Sequence, residues 1–244
     1  MATPWSARRW RAATPTASTG SSSPDRGERA NAVLGRGGDS GLPARRLGAM
    51  RVIAGEAKGR RLTAPRSAGR AAGLRPTTDR LREALFNALG PGIAGKAVLD
   101  LYAGTGALGI EALSRGAARA VFVDSDRQAV ATIRANLATT GLEARARVEH
   151  TTAERFAARP ASAVSPPPAT YGLVLLDPPY SAGFPAPVVA ALAAGGHLAP
   201  GGLVVVEVAA AAPVGDGSGL QVVDHRRYGD SALVFLRAAE AVSA

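Results

Sequence analysis

The sequence predicts an α/β protein with a doubly wound, mainly parallel β-sheet. Three observations lead to this fold class. Short apolar runs alternate with helical patterns from Val98 onward, the first run leads into a glycine-rich loop, and the second ends in the acid Asp124. Because ligands of such sheets bind beyond the carboxyl ends of the strands, residues at those ends are the first candidates for a functional site.

Composition narrows the class of protein. The chain has 244 residues, a net charge of +10 and no cysteine, which excludes disulfides and cysteine-bound zinc. This strongly basic balance is typical of proteins that bind a polyanion. The histidines His150, His197 and His225 lack the spacing of metal ligands, and no apolar run is long enough to span a membrane. We therefore expect a cytoplasmic protein without a metal.

The N-terminal residues 1–49 differ from the rest of the chain. They are rich in Ala, Ser, Thr, Gly, Pro and Arg and have no apolar periodicity, which is a disordered composition. They are Arg- and Ser-rich like a transit peptide, but they lack the apolar segment of a secretory signal. We expect a dispensable extension, with the functional chain beginning at Met50.

Residues 50–95 are expected to form an N-terminal hairpin and helix; the hairpin is the RNA-binding arm, and the segment also provides a lid over the cofactor. Two short strands, residues 51–54 and 61–64, flank a glycine-bounded turn and predict a β-hairpin. A helix is predicted to follow, with Thr78 as its N-cap. A solvated basic loop is the simpler interpretation of the arm, but a nucleic-acid substrate would make its cations phosphate contacts. These cations are Arg51, Lys58, Arg60, Arg61 and, beyond the hairpin, Arg75.

The first buried strand leads into the spacing Gly104, Gly106 and Gly109, and a helix is predicted from Ala107 to about Arg115. Glycine at such positions lets a ligand approach the backbone near the positive end of the helix dipole. Asp124 ends the second strand, 20 residues after Gly104, where a carboxylate can bind a ribose hydroxyl pair. Together these features predict a site for a cofactor that contains a nucleoside.

Asp100 indicates which cofactor. It lies four residues before Gly104, at the end of the first strand, where an acid can bind an ammonium group directly or through water. In a dinucleotide site the same carboxylate would lie near a pyrophosphate, which is unfavourable. Asp100 therefore favours S-adenosylmethionine over NAD, although an N-cap or a surface acid is the simpler interpretation of this residue alone.

The remaining elements complete the sheet. A helix is predicted over residues 127–139, a third strand over 145–149, a fourth over 173–177, a helix over 187–194 and a fifth strand over 203–208. The segments 220–226 and 232–236 predict a terminal antiparallel pair around the turn at residues 228–230.

The fourth strand ends in Asp177-Pro178-Pro179-Tyr180, which predicts a stiff turn. Each proline fixes its φ angle and lacks a backbone N–H, and Pro178 also keeps Asp177 extended. Such a turn can hold a planar amino group between a carboxylate and a carbonyl while the tyrosine ring stacks on the attached base. A plain turn with a surface tyrosine is the alternative.

Several segments together carry a family resemblance. They are residues 51–55 and 59–62 of the hairpin, the Arg-Pro-Thr-Thr-Asp-Arg element within 75–86, the loop and helix at 100–117, and the turn at 177–180. From Met50 to about Arg237 the chain resembles the bacterial 16S rRNA guanine-N2 methyltransferases of the RsmD type. The arginine-rich element with the hairpin before it is more specific than either common methyltransferase motif.

The resemblance implies the class I methyltransferase fold over residues 96–240, a Rossmann-like sheet of seven strands with an antiparallel seventh. It implies S-adenosylmethionine as cofactor and one guanine of 16S rRNA as substrate. Because the domain is small and has no second recognition module, we also expect a monomer that acts on an assembled or partly assembled small subunit. The implied catalytic residues are Asp177, Pro178, Pro179 and Tyr180. The implied cofactor-binding residues are Thr78, Asp100, Tyr102, Ala103, Gly104, Gly106, Leu108, Asp124, Ser125 and Ala153.

One position departs from a common pattern, and three other functions stay open. Many class I enzymes carry Asp or Asn before an Ala after strand three, whereas this chain has Thr152-Ala153, so the backbone of Ala153 would contact adenine. An adenine-N6 or cytosine-N4 methyltransferase would use the same turn. A glutamine-N5 protein methyltransferase would favour Asn at position 177. A non-catalytic RNA-binding scaffold would not need Asp100, Asp124 and Asp177 at strand ends.

Overall fold

The computed structural model describes residues 50–64, 76–164, 170–214 and 219–238, and these belong to a compact unit that starts at Gly48. The helices are α1 (Pro76–Leu89), α2 (Ala107–Ser114), α3 (Arg127–Thr140), α4 (Ala153–Ala157) and α5 (Ala186–Ala194). The strands are β1 (Ala97–Leu101), β2 (Arg119–Asp124), β3 (Ala146–His150), β4 (Tyr171–Leu176), β5 (Leu198–Ala209), β6 (Leu220–Tyr228) and β7 (Ser231–Ala238).

The strands form one sheet in the order β3-β2-β1-β4-β5-β7-β6. Strands β1 to β5 are parallel, and β7 lies antiparallel between β5 and β6. The predicted doubly wound sheet of seven strands is therefore confirmed. The strand order reverses between β1 and β4, so the loops after these two strands leave toward opposite faces and open a crevice between them.

Two apolar layers cover the sheet. Alternate residues of β1 point to opposite faces, so Val98 packs into the layer of α1, α2 and α3, whereas Leu99 and Leu101 pack into the layer of α4 and α5. By this alternation Asp100 points toward α2. The arm joins the first layer, because Val52 and Leu62 are buried in it.

The structure corrects several boundaries. Helix α1 begins at Pro76, so Thr78 lies inside the helix and is not its N-cap; proline suits the first turn because it lacks the N–H that would be unpaired there. Strand β4 covers 171–176, and β5 is longer than predicted because it continues through the glycines at 201 and 202. The short helix α4 was not predicted.

The predicted hairpin is also corrected. Residues 51–54 and 61–64 do not form two regular strands, and a single antiparallel bridge joins Arg51 to Arg61. The reason is the hydrogen bonding of the arm backbone. The N–H groups of Ile53 and Ala54 donate to the carboxylate of Glu111 on α2 rather than across the hairpin, at 2.8 and 3.0 Å.

Candidate active site

The glycine loop between β1 and α2 needs glycine at specific positions. Gly104 and Gly106 have φ angles of +55° and +76°, which side chains rarely adopt. Gly109 is needed for space: a Cβ atom there would lie 2.3 Å from the ring of Phe122 and 3.1 Å from Oδ2 of Asp100. These glycines therefore allow the tight turn from β1 into α2 and the close packing of α2 on Phe122 and Asp100.

Asp124 ends β2 and holds this loop. Its Oδ2 accepts the N–H of Gly104 at 2.7 Å, and its Oδ1 accepts the N–H of Asp126 at 2.8 Å. Each carboxylate oxygen still has a second lone pair, and the side chain is only half-buried. The residue is thus fixed in place and able to accept hydrogen bonds from two ribose hydroxyls, the role that the sequence predicts for it.

Asp100 lies beneath the loop and is almost completely buried, with 1% of its surface exposed. Its Oδ2 accepts the N–H of Gly109 at 2.9 Å, whereas its Oδ1 has no protein partner among the described residues. Burial raises the pKa of Asp100 well above its ordinary value, and the negative charges of Asp177 and Asp124 add to this, against the Gly109 hydrogen bond. A cation bound nearby would relieve this cost, and the depth of the carboxylate favours contact through water.

Tyr102 and Glu154 form one wall of the crevice. Tyr102 is the only described non-glycine residue with a positive φ, +58°, and such strain is concentrated at functional sites. Its hydroxyl donates to Oε1 of Glu154 on α4 at 2.9 Å. Burial and the Glu154 charge raise the pKa of Tyr102. The pKa of Glu154 is lowered, because its carboxylate accepts hydrogen bonds from the Glu154 backbone N–H and from Tyr102. The sequence did not nominate Glu154, which falls in the unpredicted α4.

The remaining cofactor candidates lie on neighbouring loops. Thr152 caps α4 by accepting the N–H of Arg155 at 3.2 Å, so its side chain is occupied, and Ala153 is buried beside it. Ser125 is exposed, and its carbonyl lies 3.0 Å from Nε2 of His150. Ala103 is buried, and Leu108 is half-buried at the start of α2. The side chain of Thr78 lies outside the described residues.

Asp177 stands at the end of β4, across the crevice from Asp124. Its N–H donates to the carbonyl of Leu101 at 3.5 Å, which extends the pairing of β4 with β1. Desolvation of the carboxyl group, with the negative charge of Glu207 adding to it, raises the pKa of Asp177 to about 7, although the residue as a whole is exposed.

The prolines shape the rest of this turn. Pro178 is buried and Pro179 is exposed, and the carbonyl of Pro179 accepts the N–H of Ala182 at 2.8 Å. A short 3-10 turn, Tyr180–Ala182, follows. The side chain of Tyr180 lies outside the described residues, so its predicted stacking role stays a prediction.

The arm lies along α2 and α3 rather than across the crevice. The carbonyl of Ser114, at the far end of α2, accepts the N–H of Glu56, and Nη1 of Arg60 donates to the carbonyl of Thr139 near the end of α3 at 3.4 Å. Helix α2 has eight residues, so this tip is about 12 Å from the cofactor loop. The structure therefore does not bring Lys58 and Arg60 together with Asp177.

The arm cations are nonetheless available to a partner. Arg51, Lys58, Arg60 and Arg61 are all exposed, and the described hairpin residues 50–64 have one acid, Glu56, which pairs with Arg145. Arg75 lies outside the described residues.

Three buried polar side chains that the sequence did not nominate hold the arm in place. Glu111 accepts two arm N–H groups, and Ser114 accepts the N–H of Ala57 at 3.0 Å and donates to the carbonyl of Ala54. Asn136 of α3 accepts from Thr63 and donates to the carbonyls of Thr63 and Thr105 at 3.0 and 2.9 Å. Thr105 belongs to the glycine loop, so Asn136 links the arm directly to the cofactor site.

Among the described residues no cluster of His, Cys, Asp or Glu has the size or arrangement of a metal site. No helix in the same part of the chain has the length and apolar character needed to cross a membrane.

Known proteins with the same fold and sequence pattern place the chain in a family. Among solved structures, the Escherichia coli protein yhhF aligns with a TM-score of 0.65 at 36% identity, covering 79% of this chain and all of that one. A hypothetical protein of Thermus thermophilus aligns with a TM-score of 0.62 at 32% identity, covering 76% of this chain and 98% of that one.

Sequence comparison gives the same result. Residues 50–237 match the family model described as "Conserved hypothetical protein 95". The protein named ribosomal RNA small subunit methyltransferase D of Escherichia coli K12 is 42% identical over 161 residues, which cover 66% of this chain and 75% of that protein. Its namesake in Haemophilus influenzae is 35% identical over 161 residues, 66% of this chain and 79% of that one. The chain therefore belongs to the family of this model, the RsmD family of class I methyltransferases.

Proposed function

We propose that this protein transfers a methyl group from S-adenosylmethionine to the exocyclic N2 of one guanine in 16S rRNA. One observation carries the proposal: Asp100, Asp124 and Asp177 lie at the carboxyl ends of neighbouring strands. Asp124 and Asp100 hold the glycine loop and the start of α2, and Asp177 begins the proline-stiffened turn beside them. The names of the relatives, small subunit rRNA methyltransferases, support the choice of substrate RNA.

S-adenosylmethionine is the cofactor of this enzyme, and the residues at the strand ends fit it. The molecule carries a ribose for Asp124, an ammonium group for the unpaired Oδ1 of Asp100, and a net positive charge that suits a site with three carboxylates. When bound, it supplies an electrophilic methyl group on a sulfonium sulfur.

Asp177 would make the guanine amine a better nucleophile. The N2 lone pair is delocalised into the ring, and accepting its N–H groups at Asp177 and at the carbonyl of Pro178 favours a pyramidal nitrogen. Positive charge would grow on N2 as it accepts the methyl group, and the nitrogen would then release a proton toward the Asp177 carboxylate. A fixed carboxylate stabilises that state more than the ground state, while Pro179 and Tyr180 shape the entrance for an extruded base.

The arm would bind RNA beyond the target base. Because its tip is about 12 Å from the cofactor loop, Lys58 and Arg60 would contact phosphates of flanking RNA, and Arg51, Arg61 and Arg75 would extend that surface. We also propose the division into a disordered extension (1–49), an N-terminal hairpin and helix (50–95), with the hairpin as RNA arm and the helical part as cofactor lid, and a catalytic domain (96–240). A monomer acting in the cytoplasm on an assembled or partly assembled small subunit completes the proposal, because the preformed subunit surface would supply the specificity that one small domain lacks.

Methyl transfer from labelled S-adenosylmethionine to small subunits that lack the modification, followed by nucleoside analysis, tests the proposed function. The expected product is N2-methylguanosine at one position of the 16S rRNA. A methyl group on adenine or cytosine, or none on RNA, would overturn it.

Asp124→Ala is expected to weaken S-adenosylmethionine binding at least tenfold. The change removes the ribose acceptor and releases the N–H of Gly104, and hydrogen bonds to charged groups contribute about 1.5–3 kcal/mol each. Isothermal titration calorimetry measures the affinity, and the melting temperature confirms folding. Asp124→Asn, which keeps an acceptor oxygen, should lose less. Wild-type affinity in a folded Asp124→Ala variant would remove this residue from the cofactor site.

Arg60→Glu combined with Arg61→Glu is expected to weaken RNA binding without changing cofactor affinity. Two lost phosphate contacts should reduce the slope of log affinity against log salt by about 1.4 on single strands. The matched control is Arg119→Glu with Arg155→Glu, which reverses two exposed arginines away from the arm. Equal losses in both double variants would show a general charge effect, and loss of cofactor affinity would show that the arm is structural.

A further inference from the structure

Glu207 is a carboxylate on β5, next to the end of β4, for which the reaction as described has no role. In the sequence it is the one charged residue within the apolar run of β5. The parallel register pairs Leu176 of β4 with Val206 of β5, so Asp177 and Glu207 are the next residues along two adjacent strands. Neighbouring strands lie about 4.8 Å apart, which makes these two residues direct neighbours at the point where β4 ends.

The two side chains also share a face. Leu176 and Val206 both pack into the layer of α4 and α5, so the residues that follow them turn toward the opposite face. Glu207 is half-buried, and its charge contributes to the raised pKa of Asp177. The two carboxylates are therefore placed to contact adjacent groups of one ligand.

We propose that Glu207 accepts the N1–H of the target guanine and so determines the specificity for guanine, an inference that rests on the proposed function. The Watson–Crick edge of guanine presents N1–H beside the N2 amino group, so it offers donors to both carboxylates. Adenine and cytosine instead present a ring nitrogen with a lone pair beside their amino groups, and a second carboxylate repels that lone pair. A polar site that pairs with one base edge rejects the other edges.

The test compares guanine with 2-aminopurine at the methylated position of reconstituted small subunits. 2-Aminopurine keeps the N2 amino group, but its N1 has no hydrogen. The wild-type enzyme should show a kcat/KM about 10- to 100-fold lower on 2-aminopurine, the range expected for one hydrogen bond to a charged group. Glu207→Gln, whose amide donates to a bare N1, should narrow this ratio at least fivefold. The loss of O6 in 2-aminopurine affects both enzymes equally and cancels in the comparison.

The control variant is Glu83→Gln, an exposed glutamate on α1, which should keep the wild-type ratio. If Glu207→Gln lowers both activities equally, Glu207 is structural and the inference fails. If wild-type enzyme places no methyl group on N2 of guanine in the same subunits, the proposed function itself fails. These two failures are read from different reactions, so they are distinguishable.

Discussion

Asp177→Ala should lower kcat at least 100-fold while S-adenosylmethionine still binds. The variant removes the acceptor that would orient the guanine amine and stabilise its growing positive charge, and losing one such preorganised group typically costs a factor of about 100 to 1,000. Cofactor affinity should persist because Asp100 and Asp124 remain. Single-turnover methyl transfer measures the first quantity and calorimetry the second. A variant that turns over within threefold of wild type would exclude Asp177 from catalysis.

The raised pKa of Asp177 adds a pH signature to this prediction. With the pKa at about 7, the carboxylate that would accept the amine protons is fully formed only in mildly alkaline solution. The value of kcat/KM for the cofactor, which reports the free enzyme, should therefore rise with pH through about 7 and then level off. Asp177→Asn keeps an acceptor oxygen but does not titrate, so its lower activity should not show this rise.

The same shift predicts how stability varies with pH. Because the pKa of Asp177 is higher in the folded protein than its ordinary value of 3.8, the folded state holds the proton more tightly. The contribution of Asp177 to stability is therefore complete below about pH 4 and is lost as the pH rises through about 7. Asp177→Asn should be more stable than wild type at pH 8, and this advantage in the free energy of unfolding should be lost near pH 4. The same difference between variant and wild type at both pH values would argue against the shifted pKa.

Local patterns predicted the sheet well because the central strands β1, β2 and β4 are short, largely apolar runs that lead to a glycine loop or to an acid. The glycine spacing placed α2, and Asp124 and Asp177 fell at the strand ends where they were expected. The predicted bounds of helices and strands were wrong where the local sequence pattern was weak. Helix α4 has only five residues, and β5 continues through two glycines that read as a turn.

The anchoring of the arm could not be predicted from local patterns. The hydrogen bonds that join the arm to Glu111, Ser114 and Asn136 connect residues 57 to 73 positions apart in the sequence. The periodicity of a hairpin carries no information about such distant contacts. The sequence did hold one signal. A charged residue in the middle of an apolar helix or strand is costly to bury unless it has partners, and both Glu111 and Glu207 break such runs. An interpretation of these two residues as functional would have identified Glu111 as the anchor of the arm and Glu207 as a carboxylate beside Asp177.

Glu111→Ala should lower the free energy of unfolding by about 3–5 kcal/mol, the range for removing one partner from a buried charged network. Glu111 is 1% exposed, and besides the N–H groups of Ile53 and Ala54 it accepts Nε of Arg115 at 2.6 Å. All three donors would lose their partner together. Urea denaturation measures the change, and the exposed Glu83→Ala is the matched control, expected within about 0.5 kcal/mol of wild type.

The consequences should extend from stability to RNA binding, because this one carboxylate holds three parts of the protein. The Arg115 guanidinium that it orients lies 5.1 Å from the ring centre of Phe86 on α1, so Glu111 joins the arm, α1 and α2. Losing it should release the arm, increase amide exchange over residues 53–57 and weaken RNA binding, while cofactor affinity changes little at temperatures where the variant is folded. Glu111→Gln keeps one acceptor oxygen, so its RNA affinity and its amide exchange should lie between those of wild type and Glu111→Ala. If the arm amides of Glu111→Ala stay protected as in wild type, the arm is held by its apolar contacts, with Val52 and Leu62 in the core as the dominant anchors.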